Sequence, residues 1–385
     1  METPQLYRQL MTQLSQWVNA KEVRHLQGVC EAVGAILQSQ QAAPARWLPY
    51  LSHRRCGARA HLERLQYLLE NPYISAERFY QPLLQRVLAA FAHTAVTLAL
   101  DTSVLWNQYC LVEVSLIWGG RSLTVAQTVL EHPSASVAFE DYRTVLEQAH
   151  TRLPVGCQVT WLADRGFDHK QLLQWLLVHQ WDWAIRLKGD TSLRLATGRP
   201  CQVDELWPPP DEAYCYHHVE VYDEIPAHLA TAHLSTTAEP WAVLSSAPSS
   251  LQTFARYGER FGGIEPHFKD YKSAGFQLPH SRRRNAQQLT TLVMLLDMAQ
   301  LVAVVLGVLL VQVGQRLQLD WHGERGLSFL QLGLREIARC GYQRRCLPPL
   351  TPLPQRSPPK AYASHWQRFE QTCRIEFSKV TIFSR

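Results

Sequence analysis

The sequence predicts an α/β protein built on a mixed sheet, with a helical domain before the sheet and a β-rich insertion within it. Three observations lead to this prediction. Residues 96–190 alternate between strand-like apolar runs and amphipathic helical segments. Two of those runs, VTLALD and CQVTWLAD, end in an aspartate, namely Asp101 and Asp164. The segment YGERFGGIEPHFKDYK at 257–272 then supplies a glutamate, Glu265, just after a pair of glycines.

Residues 1–95 are predicted to form a helical N-terminal domain. Apolar residues recur at helical spacing in MTQLSQWV, VRHLQGVCEAVGAIL, ARAHLERLQYLLE and LLQRVLAAFAHTA. The basic residues around the third segment are His53, Arg54, Arg55, Arg59 and Arg64. The domain is therefore a candidate for DNA binding, and the alternative is a helical cap whose arginines are solvated. The segment has no helix-turn-helix signature that decides between the two.

Residues 96–190 are predicted to form the first part of the core. VTLALD is the first strand, and YCLVEVSLIWGGRSLTVAQTVL contains two more, joined by a turn at Gly119 and Gly120. A helix (FEDYRTVLEQAHTRL), a strand (VTWLAD), a helix (HKQLLQWLLVHQ) and a strand (WDWAIRLKGD) follow. Such an order predicts a mixed sheet with helices on its faces. It matches a ribonuclease H-like core, in which the first strand and a later parallel strand each carry an aspartate.

Residues 191–250 are predicted to be a β-rich insertion subdomain. Pro208–Pro210 break the chain, and CYHHVEVY, HLATAHLS and PWAVLSS read as short strands. The insertion helps to separate Asp164 from Glu265 by 101 positions, which is more than a minimal core needs.

The second part of the core is predicted at 251–340, with helices at 264–274, at 284–316 and over LSFLQLGLREIARC. Residues 341–385 are predicted to be a basic, proline-rich C-terminal tail. Its LPPLTPLPQRSPP stretch holds six prolines and cannot be a helix or a central strand, while HWQRFEQTCRIEF is a candidate short helix.

Charge and composition point to a polyanionic partner and a reduced compartment. The net charge is +5, and residues 335–385 hold ten Lys and Arg against three Glu. Basic ends around a nearly neutral middle are typical of a DNA-binding protein, although solvated surface charge is an equal alternative.

The nine cysteines include no CxxC pair, which excludes a zinc site or a disulfide framework and predicts a cytoplasmic protein. The apolar segment Leu289–Val313 is interrupted by Asp297 and is predicted to be a buried core helix rather than a membrane span.

Three carboxylates are candidates for a common metal site. An aspartate that ends a buried strand is displayed at the edge of the sheet, as predicted for Asp101 and Asp164. The glycines before Glu265 and the proline after it predict that this glutamate begins a helix. Carboxylate oxygens are the ligands that Mg²⁺ prefers. Lys272, two helical turns beyond Glu265, could contact a phosphate.

These segments resemble the DDE transposases of bacterial insertion sequences. LALDTS, LADRGF and the Y-x-x-R…E-x6-K pattern are similar to the insertion-sequence-four superfamily with its YREK signature and β-rich insertion. The resemblance runs from about residue 95 to 340. It implies that Asp101, Asp164 and Glu265 are catalytic residues that bind metal. It also implies that Tyr257, Arg260 and Lys272, the remaining signature residues, hold DNA phosphates.

The sequence departs from the signature in one place. Four residues separate Arg260 from Glu265, where the family has three, and the glycine pair is expected to absorb the difference as a bulge or a break. Glu259 and Asp270 remain fallback candidates for the third acid.

The resemblance implies metal-dependent cleavage at the ends of the element and strand transfer into target DNA. Two Mg²⁺ ions roughly 4 Å apart, for which Mn²⁺ can substitute, would clamp the attacking and leaving oxygens. It also implies a homodimer on paired ends. The alternatives are a catalytically inactive DNA-binding protein derived from a transposase, or a nuclease that cuts without joining. Further candidates for DNA binding are Arg165, Lys188, Arg282, Arg283 and Arg284.

Overall fold

A single continuous sheet runs through the molecule in the computed structural model, which describes residues 5–51, 56–222, 225–235, 237, 239–358 and 377–384. Its strands are β1 (Ala95–Leu105), β2 (Tyr109–Trp118), β3 (Arg121–Leu130), β4 (Gln158–Ala163), β5 (Asp182–Arg186), β6 (Ser192–Arg194), β7 (Pro200–Gln202), β8 (Glu212–Val221), β9 (Ile225–His233), β10 (Trp241–Ser245) and β11 (Lys379–Phe383). The strand order is β3-β2-β1-β4-β5-β10-β9-β8-β6-β7, and β11 pairs with β8.

The helices pack around this sheet. They are α1 (Gln5–Leu14), α2 (Val23–Ser39), α3 (Ala58–Glu70), α4 (Ala76–Val87), α5 (Phe139–Arg152), α6 (Lys170–Val178), α7 (Leu251–Gly258), α8 (Ile264–Lys269), α9 (Ala286–Gln312) and α10 (Phe329–Tyr342).

The first five strands have the predicted arrangement. β1, β2 and β3 form an antiparallel meander, whereas β1, β4 and β5 are parallel neighbours. The helices α5 and α6 make the connections into β4 and β5, as the alternating pattern predicted. The mixed α/β fold is therefore confirmed.

The β-rich segment extends the core sheet instead of forming a sheet of its own. β10 pairs antiparallel with β5, with Leu244 opposite Ile185, and β9 and β8 follow outward. β10 can continue the sheet because its residues 242–245 are all buried, as in an interior strand. The boundaries of an insertion subdomain stay a prediction.

The long helix α9 lies in the core, as predicted. Within the described residues it is the one helix long and apolar enough to cross a membrane, and 94% of its most apolar window is buried inside the protein. It packs on β3 and on the N-terminal helices α2, α3 and α4. It therefore joins the helical N-terminal region to the sheet.

The α9–α10 contact brings the two backbones together at glycines. A Cβ atom on Gly307 would lie 1.9 Å from the carbonyl oxygen of Phe329, and one on Gly333 would lie 1.8 Å from that of Ala303. Because atoms cannot approach so closely, only glycine permits this crossing.

The helical prediction for the N-terminal region holds for α2 and α3, whereas the bounds of α1 and α4 differ from the predicted segments. α1 ends at Leu14, although the predicted helix extended to Val18. α4 starts at Ala76, and a 3₁₀ turn replaces the predicted helix after Val87. That turn leads directly into β1, where pairing with β4 fixes the chain as a strand. Three residues of the basic cluster, 53–55, lie outside the described residues.

The proline-rich stretch after α10 contains neither helix nor strand over its described residues, as predicted, and packs along the N-terminal helices. Leu347 exchanges hydrogen bonds of 3.1 Å with the side chain of Gln9, and the N–H of Leu353 donates to Val87 O. Most of the predicted C-terminal helix, residues 365–376, lies outside the described residues. β11 then adds to β8 in parallel.

Candidate active site

The register between β1 and β4 sets the two aspartates side by side. Leu100 lies opposite Ala163, so the next positions along the two parallel strands are Asp101 and Asp164. Asp164 follows the end of β4, as predicted, and caps a short 3₁₀ turn by accepting the N–H of Gly166 at 2.8 Å.

Asp101 does not end its strand, contrary to the prediction. β1 continues to Leu105 because it pairs with β2 as a hairpin beyond the point where β4 stops. Asp101 is therefore the first residue of β1 without a partner on the β4 side. Its side chain has room because β4 ends beside it, although β1 itself continues.

Glu265 stands near the start of a helix, as predicted. α7 ends at Gly258, and a 3₁₀ turn, Glu259–Gly262, follows it. Gly263 then breaks the chain with φ −110° and ψ −81° before α8 begins at Ile264. The glycine pair thus marks a break in the chain before Glu265, as predicted.

Arg260 lies at the point where the three carboxylates converge. Its Nη2 atom is 2.7 Å from Oδ2 of Asp101 and 3.6 Å from Oδ2 of Asp164. Its Nη1 atom is 3.9 Å from Oε1 of Glu265. The guanidinium is buried, whereas the side chains of Asp164 and Glu265 are 38% and 51% exposed. One positive charge thus faces all three acids from inside the protein.

The electrostatics of the acids reflect burial and their mutual repulsion. Burial raises the pKa of Asp101 to about 6, with Arg260 lowering it and the Asp164 charge raising it. Burial also raises the pKa of Glu265, again opposed by Arg260 and reinforced by Asp164. Burial is thus the main cause of both shifts, and repulsion from the neighbouring carboxylates adds to it.

The charges of these acids affect the pKa values of two basic side chains, Arg260 and Lys272. Burial disfavours the charged form of Arg260, but Asp101 and the neighbouring acids raise its pKa overall. Burial lowers the pKa of Lys272, and Asp101 partly offsets the shift. Lys272 belongs to a π-helical turn, Asp270–Ala274, that continues α8. Its ammonium group is therefore within electrostatic range of the aspartate.

The chemistry of the acids suits a hard divalent cation. Three carboxylates around one point are the oxygen donors that Mg²⁺ and Mn²⁺ prefer. Across the described ranges, no three His, Cys, Asp or Glu side chains are close enough to hold an ion as they stand. Arg260 is the positive charge among them in this structure. A bound cation would share with Arg260 the neutralisation of the carboxylates.

The two fallback acids have other partners. Asp270 is buried and pairs with Arg121 at 3.0 Å. The carboxylate of Glu259 accepts a hydrogen bond from Thr97 at 3.2 Å. Glu265 is thus the glutamate that the fold directs toward Arg260.

Tyr257 does not present its ring to solvent, and its role in holding a DNA phosphate stays a prediction. It is 1% exposed and packs with Leu162, Ala184 and Val243 beneath the acids. Its ring meets Trp241 edge to face at a centroid distance of 5.9 Å. The tyrosine is thus buried in an apolar cluster and lies within electrostatic range of Arg260, Asp164 and Asp101.

The other candidate DNA-binding residues lie at the surface with varied partners. Arg165 pairs with Glu239 at 3.0 Å. Lys188 is exposed and follows the end of β5 instead of lying within a strand. Arg284 stacks over the ring of Trp106 at 4.4 Å.

Of the remaining two candidates, Arg282 is exposed and Arg283 is partly buried. Both follow the 3₁₀ turn Leu278–Ser281 that succeeds the π-helical turn.

Sequence reasoning missed Glu239 and the buried pair of Glu113 and His267. Glu239 joins Arg165 to Arg186, which lies 2.7 Å away, but it sits in a connecting turn without a motif. Glu113 and His267 are fully buried, 2.9 Å apart, and anchor α8 to β2. The glutamate in the otherwise apolar run YCLVEVSLIW was a signal for this pair.

Comparison with known proteins bears on the same region. The family model for the transposase DDE domain matches residues 113–301, just under half of the chain, and includes Asp164, Arg260 and Glu265. No curated protein matches the sequence.

Two solved structures are remotely similar. The piggyBac transposase synaptic complex with hairpin DNA is 10% identical, covers 88% of this chain and 80% of its own, and has a TM-score of 0.44. An Argonaute from Marinitoga piezophila, in complex with guide RNA and target DNA, is 8% identical, covers 51% of this chain and 28% of its own, and has a TM-score of 0.21. Neither likeness is strong enough to carry an argument about the site. The match to the transposase DDE domain supports a DDE transposase.

Proposed function

We propose that the protein is a DNA transposase that cleaves DNA at the ends of an insertion sequence and transfers the strands into target DNA. The observation that carries the proposal is the convergence of Asp101, Asp164 and Glu265 around Arg260. These acids come from a strand, the end of a parallel strand and the start of a helix far along the chain. Ordinary ion pairing would need only one of them.

In this proposal Asp101, Asp164 and Glu265 are the catalytic residues and hold Mg²⁺, as two ions, with Mn²⁺ able to substitute. When bound, the metal activates the attacking oxygen and stabilises charge on the leaving oxygen at the phosphorus. Arg260 holds Asp101 and Asp164 in place and offsets their repulsion. Carboxylates are suited to the ions because both partners are hard.

The chain's basic residues would hold the DNA. Lys272 is partly buried near Asp101 and would contact a phosphate beside the acids. Arg165, Lys188, Arg282, Arg283 and Arg284 are the further candidates for phosphate contacts. Tyr257 would act by supporting Arg260 and the sheet, since its ring is buried.

The finer assignments belong to the same proposal. They are a ribonuclease H-like core, membership of the insertion-sequence-four superfamily with its YREK signature, a homodimer on paired ends and a cytoplasmic location. The signature residues Tyr257, Arg260, Glu265 and Lys272 support the superfamily assignment, with the glycine break accounting for the altered spacing.

The test is strand cleavage of a labelled duplex that carries the flanking ends of the gene's genomic locus. Wild type is compared with Asp101→Asn, Asp164→Asn and Glu265→Gln in Mg²⁺ or Mn²⁺. We expect cutting and joining by wild type, and cleavage lowered at least about a thousandfold in each variant with binding retained.

Other outcomes distinguish the alternatives. Binding of the ends by wild type without any cutting would establish a DNA-binding protein derived from a transposase. Cutting without strand-transfer products would establish a nuclease. Full activity of Glu265→Gln would show that the third metal ligand lies elsewhere.

A further inference from the structure

A basic cavity lies between the helical N-terminal region and the segment that follows α8, the helix that carries Glu265. Its volume is about 670 Å³. We propose that this cavity binds backbone phosphates of duplex DNA, so that the N-terminal region and the catalytic region both contact the same DNA duplex. The inference rests on the proposed function and names a binding site for its substrate.

The walls of the cavity carry positive charge. Arg46 comes from the N-terminal side, and Arg282 and Arg283 come from the segment after α8, with His280 beside them. The lining includes no aspartate or glutamate among the described residues. Three guanidinium groups around one open space repel one another, and a polyanion would relieve that repulsion.

Two hydrogen-bond donors at the cavity lack partners within the described part of the chain. They are the buried Nε of Arg283 and the Oγ of Ser281, whose residue is 7% exposed. A buried donor without an acceptor costs free energy, so an incoming acceptor would be favoured. Phosphate oxygens are acceptors of the kind that both donors lack.

A nearby acid does not already fill this role. Burial lowers the pKa of Arg283, and the charge of Glu70 offsets only part of the shift. The Oε1 atom of Glu70 instead accepts hydrogen bonds from Gln288 at 2.6 Å and Gln66 at 3.0 Å. Arg283 therefore keeps donor capacity for a ligand.

The two walls are held in a fixed relation. The backbone N–H of Ala42 donates to the carbonyl oxygen of Phe276 at 2.6 Å. On the N-terminal side, the indole N–H of Trp47 donates to Gln41 O at 2.7 Å. A cavity whose sides are already connected loses little entropy when it binds a ligand.

The basic surface continues from the cavity to the sheet. Arg284, next to Arg283, stacks on Trp106 and donates to Gln108 at 3.4 Å. Both partners lie at the turn between β1 and β2, just beyond the strand that carries Asp101. DNA phosphates in the cavity would thus lie along a surface that leads to the hairpin of the catalytic aspartate.

The test measures binding of the labelled end duplex in EDTA, over a series of salt concentrations. Arg46→Gln and Arg283→Gln are each expected to weaken binding about tenfold, the effect of losing one charge-assisted contact. Each should reduce the slope of log affinity against log salt by about one. Arg24→Gln is the matched control, because Arg24 is an exposed arginine of α2 paired with Glu22. It should bind as wild type does.

Thermal unfolding of each variant checks that the fold is intact, and the exposed Arg46 provides a variant that leaves the interior unchanged. Wild-type affinity and salt slope in both Arg46→Gln and Arg283→Gln would overturn the cavity site. If Asp101→Asn has meanwhile lost cleavage, the proposed function survives that result. A third outcome is that the two cavity variants bind DNA more weakly while wild type never cleaves it. That result would support DNA binding in the cavity and overturn the proposed enzymatic function.

Discussion

The Nη2 atom of Arg260 lies 2.7 Å from Oδ2 of Asp101, which joins a 3₁₀ turn after α7 to the middle of β1. Both side chains are buried, so little water screens the pair. The same guanidinium faces Asp164 and Glu265 at longer distances. The charge of the site is thus partly balanced by the chain itself.

Removing this arginine should destabilise the fold. Arg260→Ala leaves Asp101 buried beside two like charges, and we expect a loss of about 3 kcal/mol in the free energy of unfolding. Urea denaturation without divalent ions measures it. Arg143→Ala is the control, because its ion pairs are exposed and worth less than about 1 kcal/mol. Mg²⁺ should recover part of the loss, and an unchanged urea midpoint in Arg260→Ala would contradict the prediction.

Gly263 should tolerate no side chain. A Cβ atom there would lie 2.9 Å from Cγ1 of Ile117, so Gly263→Ala would displace the start of α8 and with it Glu265. We expect a destabilisation of about 1–3 kcal/mol together with reduced strand cleavage.

Gly258→Ala provides the comparison, because a Cβ atom at that position meets nothing within 4 Å. It should be neutral or slightly stabilising. Equal unfolding midpoints and equal cleavage rates for the two alanine variants would show that the break at Gly263 has no special role.

The contact between α9 and α10 should depend on its two glycines. Gly307→Ala or Gly333→Ala would push a methyl group into a backbone carbonyl of the other helix, and each should cost about 3 kcal/mol. Gly341→Ala, later on α10, meets nothing within 4 Å and should cost nothing. Thermal unfolding compares the three variants, and the prediction fails if their melting temperatures agree.

Asp297 should make stability depend on pH. Burial raises its pKa to about 8, Glu113 adds to the shift, and the hydrogen bond from Tyr271 and the charge of His267 oppose it. The native state therefore keeps a proton that the unfolded chain releases near pH 3.9. This stabilising contribution is complete below that pH and is lost as the pH rises toward about 8.

Asp297→Asn removes that titration. Between about pH 4 and pH 6 the free energy of unfolding of wild type, relative to the variant, should fall by up to about 1.4 kcal/mol per pH unit. Urea denaturation at several pH values measures the difference. Asp190→Asn, at an exposed position, should follow the wild-type curve. A constant difference between wild type and Asp297→Asn would refute the assignment.

Local patterns predicted much of the secondary structure. Alternation of strand-like and helix-like runs identified β1 to β5 with α5 and α6, and the apolar length of α9 identified the core helix. The glycine pair located the break before Glu265. These features depend on residues close together in the chain, so the sequence displays them directly.

The position of Asp101 could not be predicted in the same way. Where β1 loses its neighbour depends on the length of β4, some sixty positions later in the chain. The burial of Tyr257 depends likewise on Leu162, Ala184 and Val243, which come from three separate strands. Such relationships depend on register and packing between distant segments.

The sequence by itself determined the kinds of elements, the end of β4 before Asp164 and the break before Glu265, because propensity and hydrophobic period act over a few residues. Only the tertiary structure decided that Arg260 stands among the acids, that β10 extends the core sheet, and that Arg46 meets Arg283 across a cavity. Each of these joins segments distant in the chain. These three relationships depend on the packing of buried surfaces and on ion pairs between distant residues, and no local sequence pattern encodes them.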